Sequence, residues 1–118
     1  MTRRGIDPGK IAVVMNGVDL DRYGPRPADP DLTAAWGLEG RFVVGYVGAH
    51  GMAHALDNVL DAAEELTDDG DIRFLLVGAG AERDALIAEA DRRGIGSVIF
   101  APAQAKERMA AVWSLCDV

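Results

Sequence analysis

The chain has 118 residues, room for one small domain, and its 49% hydrophobic and 26% charged residues are the balance of a folded chain rather than a disordered one. A formal net charge of -7 excludes recognition of nucleic acid, or of an acidic membrane surface, by surplus positive charge; backbone amides at a helix N-terminus can still hold a phosphate on an acidic protein. The single cysteine, Cys116, excludes an internal disulfide and a cysteine metal cage, and its place on an apolar helical stripe reads as a small buried hydrophobe.

Met1-Thr2-Arg3-Arg4-Gly5 carries basic residues with no apolar run behind them, unlike a signal peptide, and no later stretch reaches the length of a membrane span. Residues 11–14, Ile-Ala-Val-Val, form a short apolar run that predicts a strand, and Asn16-Gly17 forces a turn after it. Residues 24–31 hold three prolines and read as a linker without regular structure. From Arg41 the pattern changes. Residues 42–47, Phe-Val-Val-Gly-Tyr-Val, are nearly continuous apolar sequence, as in a strand buried on both faces. Gly48-Ala49-His50-Gly51 punctuates it, and a helix is predicted over 52–67, with Met52, Leu56, Val59, Leu60, Ala63 and Leu66 on one stripe. The acidic residues Asp61, Glu64, Glu65, Asp68, Asp69 and Asp71 at its end read as a solvated face.

A second strand is predicted over 72–77, a turn at Gly78-Ala79-Gly80, and a second helix over 81–93 with Gly94 as its C-terminal cap. A third strand follows at 97–100, broken by Ala101-Pro102, and then a third helix over about 105–115 with Met109, Val112, Trp113 and Cys116 on its stripe. Asp117-Val118 reads as the start of a fourth strand. Strands alternating with helices through short turns imply an α/β fold: a Rossmann-like parallel sheet with right-handed crossovers, present as its first half. Ligands of such sheets bind beyond the carboxyl ends of the strands, so the turns at 48–51, 78–81 and 101–105 are the places to look.

At the first of these turns the glycines admit a close approach and free amides could meet a phosphate; a tight turn without a ligand needs the same residues. The turn is not the dinucleotide fingerprint, because His50 stands where a glycine is required and Gly78-Ala79-Gly80 ends the second strand where a ribose-binding acid belongs. A P-loop ending in Gly-Lys-Ser/Thr is missing as well. His50 and His54 stand four apart, but Gly51 replaces the Glu of a zinc-protease helix and there is no third ligand, so no metal site is assigned. Hydrogen bonding of these imidazoles to a phosphate, or plain surface histidines, are the remaining readings. Gly78-x-Gly80 fits a nucleotide turn and a bare helix entry equally well.

Taken in order, Lys10-Ile11-Ala12-Val13-Val14-Met15-Asn16-Gly17-Val18-Asp19, Val44-Gly45-Tyr46-Val47-Gly48, Leu56-Asp57-Asn58-Val59-Leu60-Asp61-Ala62-Ala63, Phe74-Leu75-Leu76-Val77-Gly78-Ala79-Gly80 and Val98-Ile99-Phe100-Ala101-Pro102 resemble the retaining glycosyltransferases with two facing Rossmann-like domains, the GT-B fold, in their family 4-like branch. The stretch Gly48-Ala49-His50-Gly51-Met52-Ala53-His54 looks most like the bacterial enzymes that build surface polysaccharides.

The resemblance implies that residues 1–40 are the tail of an acceptor domain and the interdomain linker, and that residues 41–118 are part of the nucleotide-sugar-binding domain. It implies donor binding by Gly48, Ala49, His50, Gly51, His54, Gly78 and Pro102. An Arg in the first turn and a Lys at the following helix start commonly neutralise the diphosphate in the family; here Ala49 and His50 stand in the Arg region and His54 at the Lys position. The family's Glu-x7-Glu segment lies beyond Val118, so the catalytic residues are expected there and in the acceptor domain. The 118 residues are expected not to turn over, and to self-associate or be partly disordered over residues 1–30.

The parent enzyme would move a sugar, with retention, from a nucleoside diphosphate sugar (a UDP-sugar as the commonest case) to a glycan or lipid-linked acceptor, without a cofactor, a metal or a nucleic acid. It would act in the cytoplasm, with room for peripheral association at the inner face of the membrane. Two other readings stay open: a free-standing nucleotide-binding or interaction module, and a sugar-nucleotide 2-epimerase of similar fold, which the Gly-Ala-His-Gly-Met turn fits less well.

Overall fold

A computed structural model describes residues 7–118; the basic stretch at Met1–Gly5 lies outside them. Three strands, β1 (Phe42–Val47), β2 (Ile72–Val77) and β3 (Val98–Ala101), form one sheet in the order β1-β2-β3, with both pairs parallel. Val44 lies opposite Phe74, and Phe74 opposite Val98. Four α-helices accompany them: α1 (Pro30–Ala35), α2 (Asp57–Glu65), α3 (Arg83–Arg93) and α4 (Met109–Trp113). The α/β fold with a parallel Rossmann-like sheet is therefore as the alternation predicts.

The sheet has a core on each face. Leu56, Leu60 and Ala63 from α2 and Leu86 and Ala90 from α3 pack with Phe74 and Ile95 on one face. Leu32 and Leu38 from the α1 region, with Val112 and Leu115 from the α4 region, pack with Val43, Leu75 and Val77 on the other. Phe74 and Leu75 are neighbours in β2 and point to opposite faces, which is why the run had to be apolar throughout. After β3 the chain thus changes face. It returns to the far edge of β1, where Gly45 N donates to Val118 O at 2.8 Å and Asp117 N to Val43 O at 2.9 Å. The Asp117 carboxylate also accepts from Val43 N at 2.8 Å. Placed beside β1 and opposite β2, residues 117–118 give the spatial order 3-2-1-4 of a doubly wound sheet, with its switch point next to β1.

Several local expectations are corrected. Residues 11–14 form no strand: Val13 and Val14 are 82% and 88% exposed and no described strand lies alongside them. A β-prone tetrapeptide without a ladder partner has nothing to hydrogen bond to. The proline-rich stretch 24–31 is not wholly irregular, because α1 begins at Pro30. Proline costs nothing at the first helical position, and the Asp29 carboxylate caps the helix by accepting from Leu32 N at 3.0 Å.

The helix expected over 52–67 is shorter. A 3-10 turn at Met52–His54 comes first and Ala55 takes a left-handed conformation (φ 46°), so α2 starts only at Asp57. Met52, assigned to the buried stripe, is 83% exposed, and Leu66 has likewise left it. The helix expected over 105–115 divides into a 3-10 turn at Lys106–Arg108 and α4, and Trp113 of its stripe is exposed while Val112 is fully buried. Gly94 caps α3 in the left-handed region (φ 70°) as expected. Cys116 is half-buried, and burial and the neighbouring Asp117 carboxylate push its thiol pKa up, away from a nucleophilic thiolate.

Candidate functional site

The carboxyl ends of the strands form a cleft of about 390 Å³, walled by Val47, Gly48 and Ala49 at the end of β1, by Val77, Gly78 and Ala79 at the end of β2, and by Ala103, Gln104 and Met109 after β3. All three turns singled out in the sequence contribute to it. A slightly larger hollow, about 400 Å³, lies between residues 18–26 and α4. Cys116 in its lining lies against Gly45 in the middle of β1 rather than at a strand end, and open α/β sheets take ligands at the carboxyl ends.

The turn after β1 continues the strand geometry. Along β1, even-numbered residues face β2: Phe42 N donates to Asp71 O and Gly48 N to Val77 O. His50 keeps this alternation, with its N–H donating to Ala79 O at 2.9 Å and its carbonyl accepting from Glu82 N at 3.0 Å. Odd-numbered residues face the other edge, where Gly45 meets Val118. Ala49 and Gly51 belong to that set, and their amides have no acceptor among the described residues. Two free N–H groups therefore face the switch-point side of the turn, the arrangement that suits an anion.

The glycines of the second turn are explained by contact. A Cβ on Gly78 would overlap the Gly48 carbonyl, and one on Gly80 would overlap the His50 backbone. The two turns pack backbone on backbone, so the Gly-x-Gly spacing is required by the fold whether or not a ligand is bound.

His50 is fully buried beneath the turn, and neither ring nitrogen has a hydrogen-bond partner. Burial first, and then the nearby Arg83 guanidinium, lower its pKa, so the imidazole is neutral at physiological pH. Arg83 itself has a buried Nε without a partner, while its Nη2 reaches Phe100 O at 3.4 Å. His54 stands on the 3-10 turn, exposed. Tyr46 lies between the histidines, its ring centre 6.1 Å from that of His50 and 6.0 Å from that of His54.

The structure thus brings Gly48, Ala49 and Gly78 together in the cleft wall and places His50 under it. Gly51 borders a separate depression with Met52, Ala55 and Asp57, so the N-terminus of α2 is set back from the first turn. Pro102 is exposed beside the cleft, and its carbonyl accepts from Gln104 Nε2 at 3.0 Å. Gln104 and Met109, which line the cleft, and Tyr46 were not among the site residues expected from the sequence, Met109 having been read only as part of an apolar stripe. A polar residue two positions after a strand-ending proline was the available signal for Gln104; for Tyr46 there was none, because it reads as one more apolar strand residue. Among the described residues no three His, Cys, Asp or Glu side chains gather as metal ligands, and no helix is long and apolar enough to cross a membrane.

With this geometry established, comparison with known proteins adds chemistry. No family model matches the chain. It is 41% identical over 125 aligned residues to the D-inositol 3-phosphate glycosyltransferase of Rhodococcus opacus (strain B4), covering 97% of this chain and 28% of that protein. The like-named protein of Mycobacterium sp. (strain JLS) is 38% identical over 119 residues, covering 95% and 26%, and that of Mycobacterium leprae (strain Br4923) 37% over 121, covering 95% and 27%. These relatives are glycosyltransferases. The chain spans between a quarter and a third of the length of each, and the match runs through nearly all of the sheet and its turns.

Proposed function

We propose that the chain carries the diphosphate-binding part of a GT-B glycosyltransferase, which moves a sugar with retention from a nucleoside diphosphate sugar, a UDP-sugar, to an acceptor. Residues 1–40 are the tail of the acceptor domain and the crossing between domains, and residues 41–118 the first part of the donor domain. The observation that carries the reading is the pair of unpaired amides on the switch-point side of the first turn, Ala49 in the wall of the strand-end cleft and Gly51 just beyond it, beside the neighbouring depression. In this reading they hold the diphosphate, with exposed His54 as the nearby side-chain donor. Gly48 and Gly78 permit the close approach, and Pro102 with Gln104 borders the base. His50 supports the turn from beneath.

The acceptor is a glycan or lipid-linked sugar handled at the cytoplasmic side of the membrane. The name of the relatives raises a second acceptor, D-inositol 3-phosphate, and both classes belong in an assay of the parent enzyme. The 118 residues alone bind the donor without transferring it, because the family's Glu-x7-Glu pair is not among them.

The test is a titration of the chain with UDP and UDP-N-acetylglucosamine followed by NMR. Saturable shifts at residues 48–51, 54 and 79 are expected, weakened by His50→Ala/His54→Ala. A demonstrably folded sample with no shifts at these residues sinks the donor-site reading and favours a module that binds no nucleotide.

A further inference from the structure

We infer that Tyr46 is a positioning residue for the donor diphosphate, acting through the peptide unit between Ala49 and His50; this rests on the donor-site reading above. Tyr46 is the fifth residue of β1, and its ring turns back over the turn that follows. The hydroxyl donates to Ala49 O at 2.8 Å. A Cβ on Gly48 would come within 3.0 Å of that hydroxyl oxygen and 3.2 Å of the ring carbon bearing it, so the residue at 48 has to be small for the tyrosine to lie there. The same ring lies between the two histidines.

The consequence follows from which groups are held. The peptide joining Ala49 to His50 is fixed at both ends: its carbonyl by Tyr46 at 2.8 Å and its N–H by Ala79 O at 2.9 Å. The next peptide is fixed through the His50 carbonyl, which accepts from Glu82 N at 3.0 Å, so the Gly51 N–H on its other end points the opposite way. The preceding peptide has its carbonyl pressed against Gly78. Three successive peptide planes are thereby set, and the unpaired Ala49 and Gly51 amides are aimed to the same side. The Ala49 carbonyl points to that side too, on the residue whose amide would meet a phosphate. Uncovered, its lone pairs would repel the anion; the Tyr46 hydroxyl covers them. One hydrogen bond therefore orders the donors and masks a competing acceptor.

The experiment compares the 118-residue chain with Tyr46→Phe, which keeps the ring against Gly48 and the histidines and removes only the hydroxyl. UDP and uridine are titrated into both, and amide hydrogen exchange is measured without ligand. The expected result is UDP binding weakened about tenfold in Tyr46→Phe, the effect of one lost hydrogen bond next to a charge, with uridine binding unchanged and faster exchange of the His50 amide. A merely structural role would weaken UDP and uridine alike, and that outcome overturns the inference, as does UDP binding equal to wild type. If the wild-type chain does not bind UDP, the donor-site reading fails and this assignment with it; if it binds and Tyr46→Phe binds equally, this assignment fails alone.

Discussion

The Cα of Gly78 lies against the carbonyl oxygen of Gly48, so closely that a methyl group at position 78 would overlap it. The obstructing atom is backbone, held by the β1–β2 ladder on one side and by the hydrogen bond from Gly78 N to Ala101 O on the other. No rotamer change can relieve the overlap. Gly78→Ala is therefore expected to destabilise the chain by about 3 kcal/mol, the upper end of overpacking costs, read as a lower urea midpoint. Gly70→Ala has open space around it and serves as the control, with little change expected.

The buried imidazole of His50 makes stability depend on pH. Its folded pKa lies below the usual value of 6.5, because burial and Arg83 disfavour the charged form, while the unfolded chain titrates normally. Between those two pKa values the unfolded state binds more protons than the folded one, so stability falls as pH drops from about 6.5 towards the folded pKa and is fully present above 6.5. Urea midpoints measured from pH 7.5 to 5 are expected to decline. In His50→Leu, which removes the titrating group and leaves no unpaired nitrogen, this part of the decline should vanish; an unchanged slope would show that other groups carry it.

Glu89 contributes at lower pH. Hydrogen bonds from Arg92 and Arg93 hold its carboxyl down to about 2, so its contribution persists above the usual carboxylate range and is lost as pH falls through that range towards 2. The two losses begin roughly two pH units apart, at the unfolded pKa values, so between pH 7.5 and 5 the His50 variant is read without interference from Glu89.

Ala55 adopts a left-handed conformation that costs a residue with a Cβ about 1 kcal/mol, and it does so where the 3-10 turn ends and α2 is about to begin. Ala55→Gly removes that cost, set against the greater freedom glycine has when unfolded, about 0.4–1 kcal/mol. The net change is expected to lie within about 0.5 kcal/mol of wild type, whereas glycine at Ala62, inside α2, should cost about 1 kcal/mol. A loss at position 55 as large as that at 62 would mean that α2 continues back through Ala55 in solution.

The three strands of the sheet and their parallel sense were legible in the sequence, and so were the stripe positions Leu60 and Ala63, because continuous apolar runs and helical stripes depend only on burial. The places that were not legible depend on a single dihedral or on distant partners. Nothing in Met52-Ala53-His54-Ala55 announces a break, and the apolar spacing carried the predicted helix through it. Residues 11–14 have the composition of a strand, but a strand exists only with a neighbour to pair with. The candidate cleft was half legible. Gly48, Ala49 and Gly78 do meet in one cleft, but the spacing that paired His50 with His54 says nothing of the alternation that turns one inward and leaves the other exposed.

That difference separates the two histidines experimentally. His54 is exposed on its turn, and truncating it removes a polar group without opening a cavity. His54→Ala is expected to leave the urea midpoint unchanged and to weaken UDP binding about three- to tenfold, the effect of one hydrogen bond to a phosphate. His50→Ala is expected to do the reverse in stability, costing about 2 kcal/mol through the cavity left under the turn, and to weaken UDP binding only as far as the turn loosens. Binding lost in His50→Ala at an intact midpoint, and retained in His54→Ala, would assign the phosphate contact to the buried imidazole. The turn would then have to open to receive the donor, and Tyr46, holding the Ala49 carbonyl, would be the bond that has to break first.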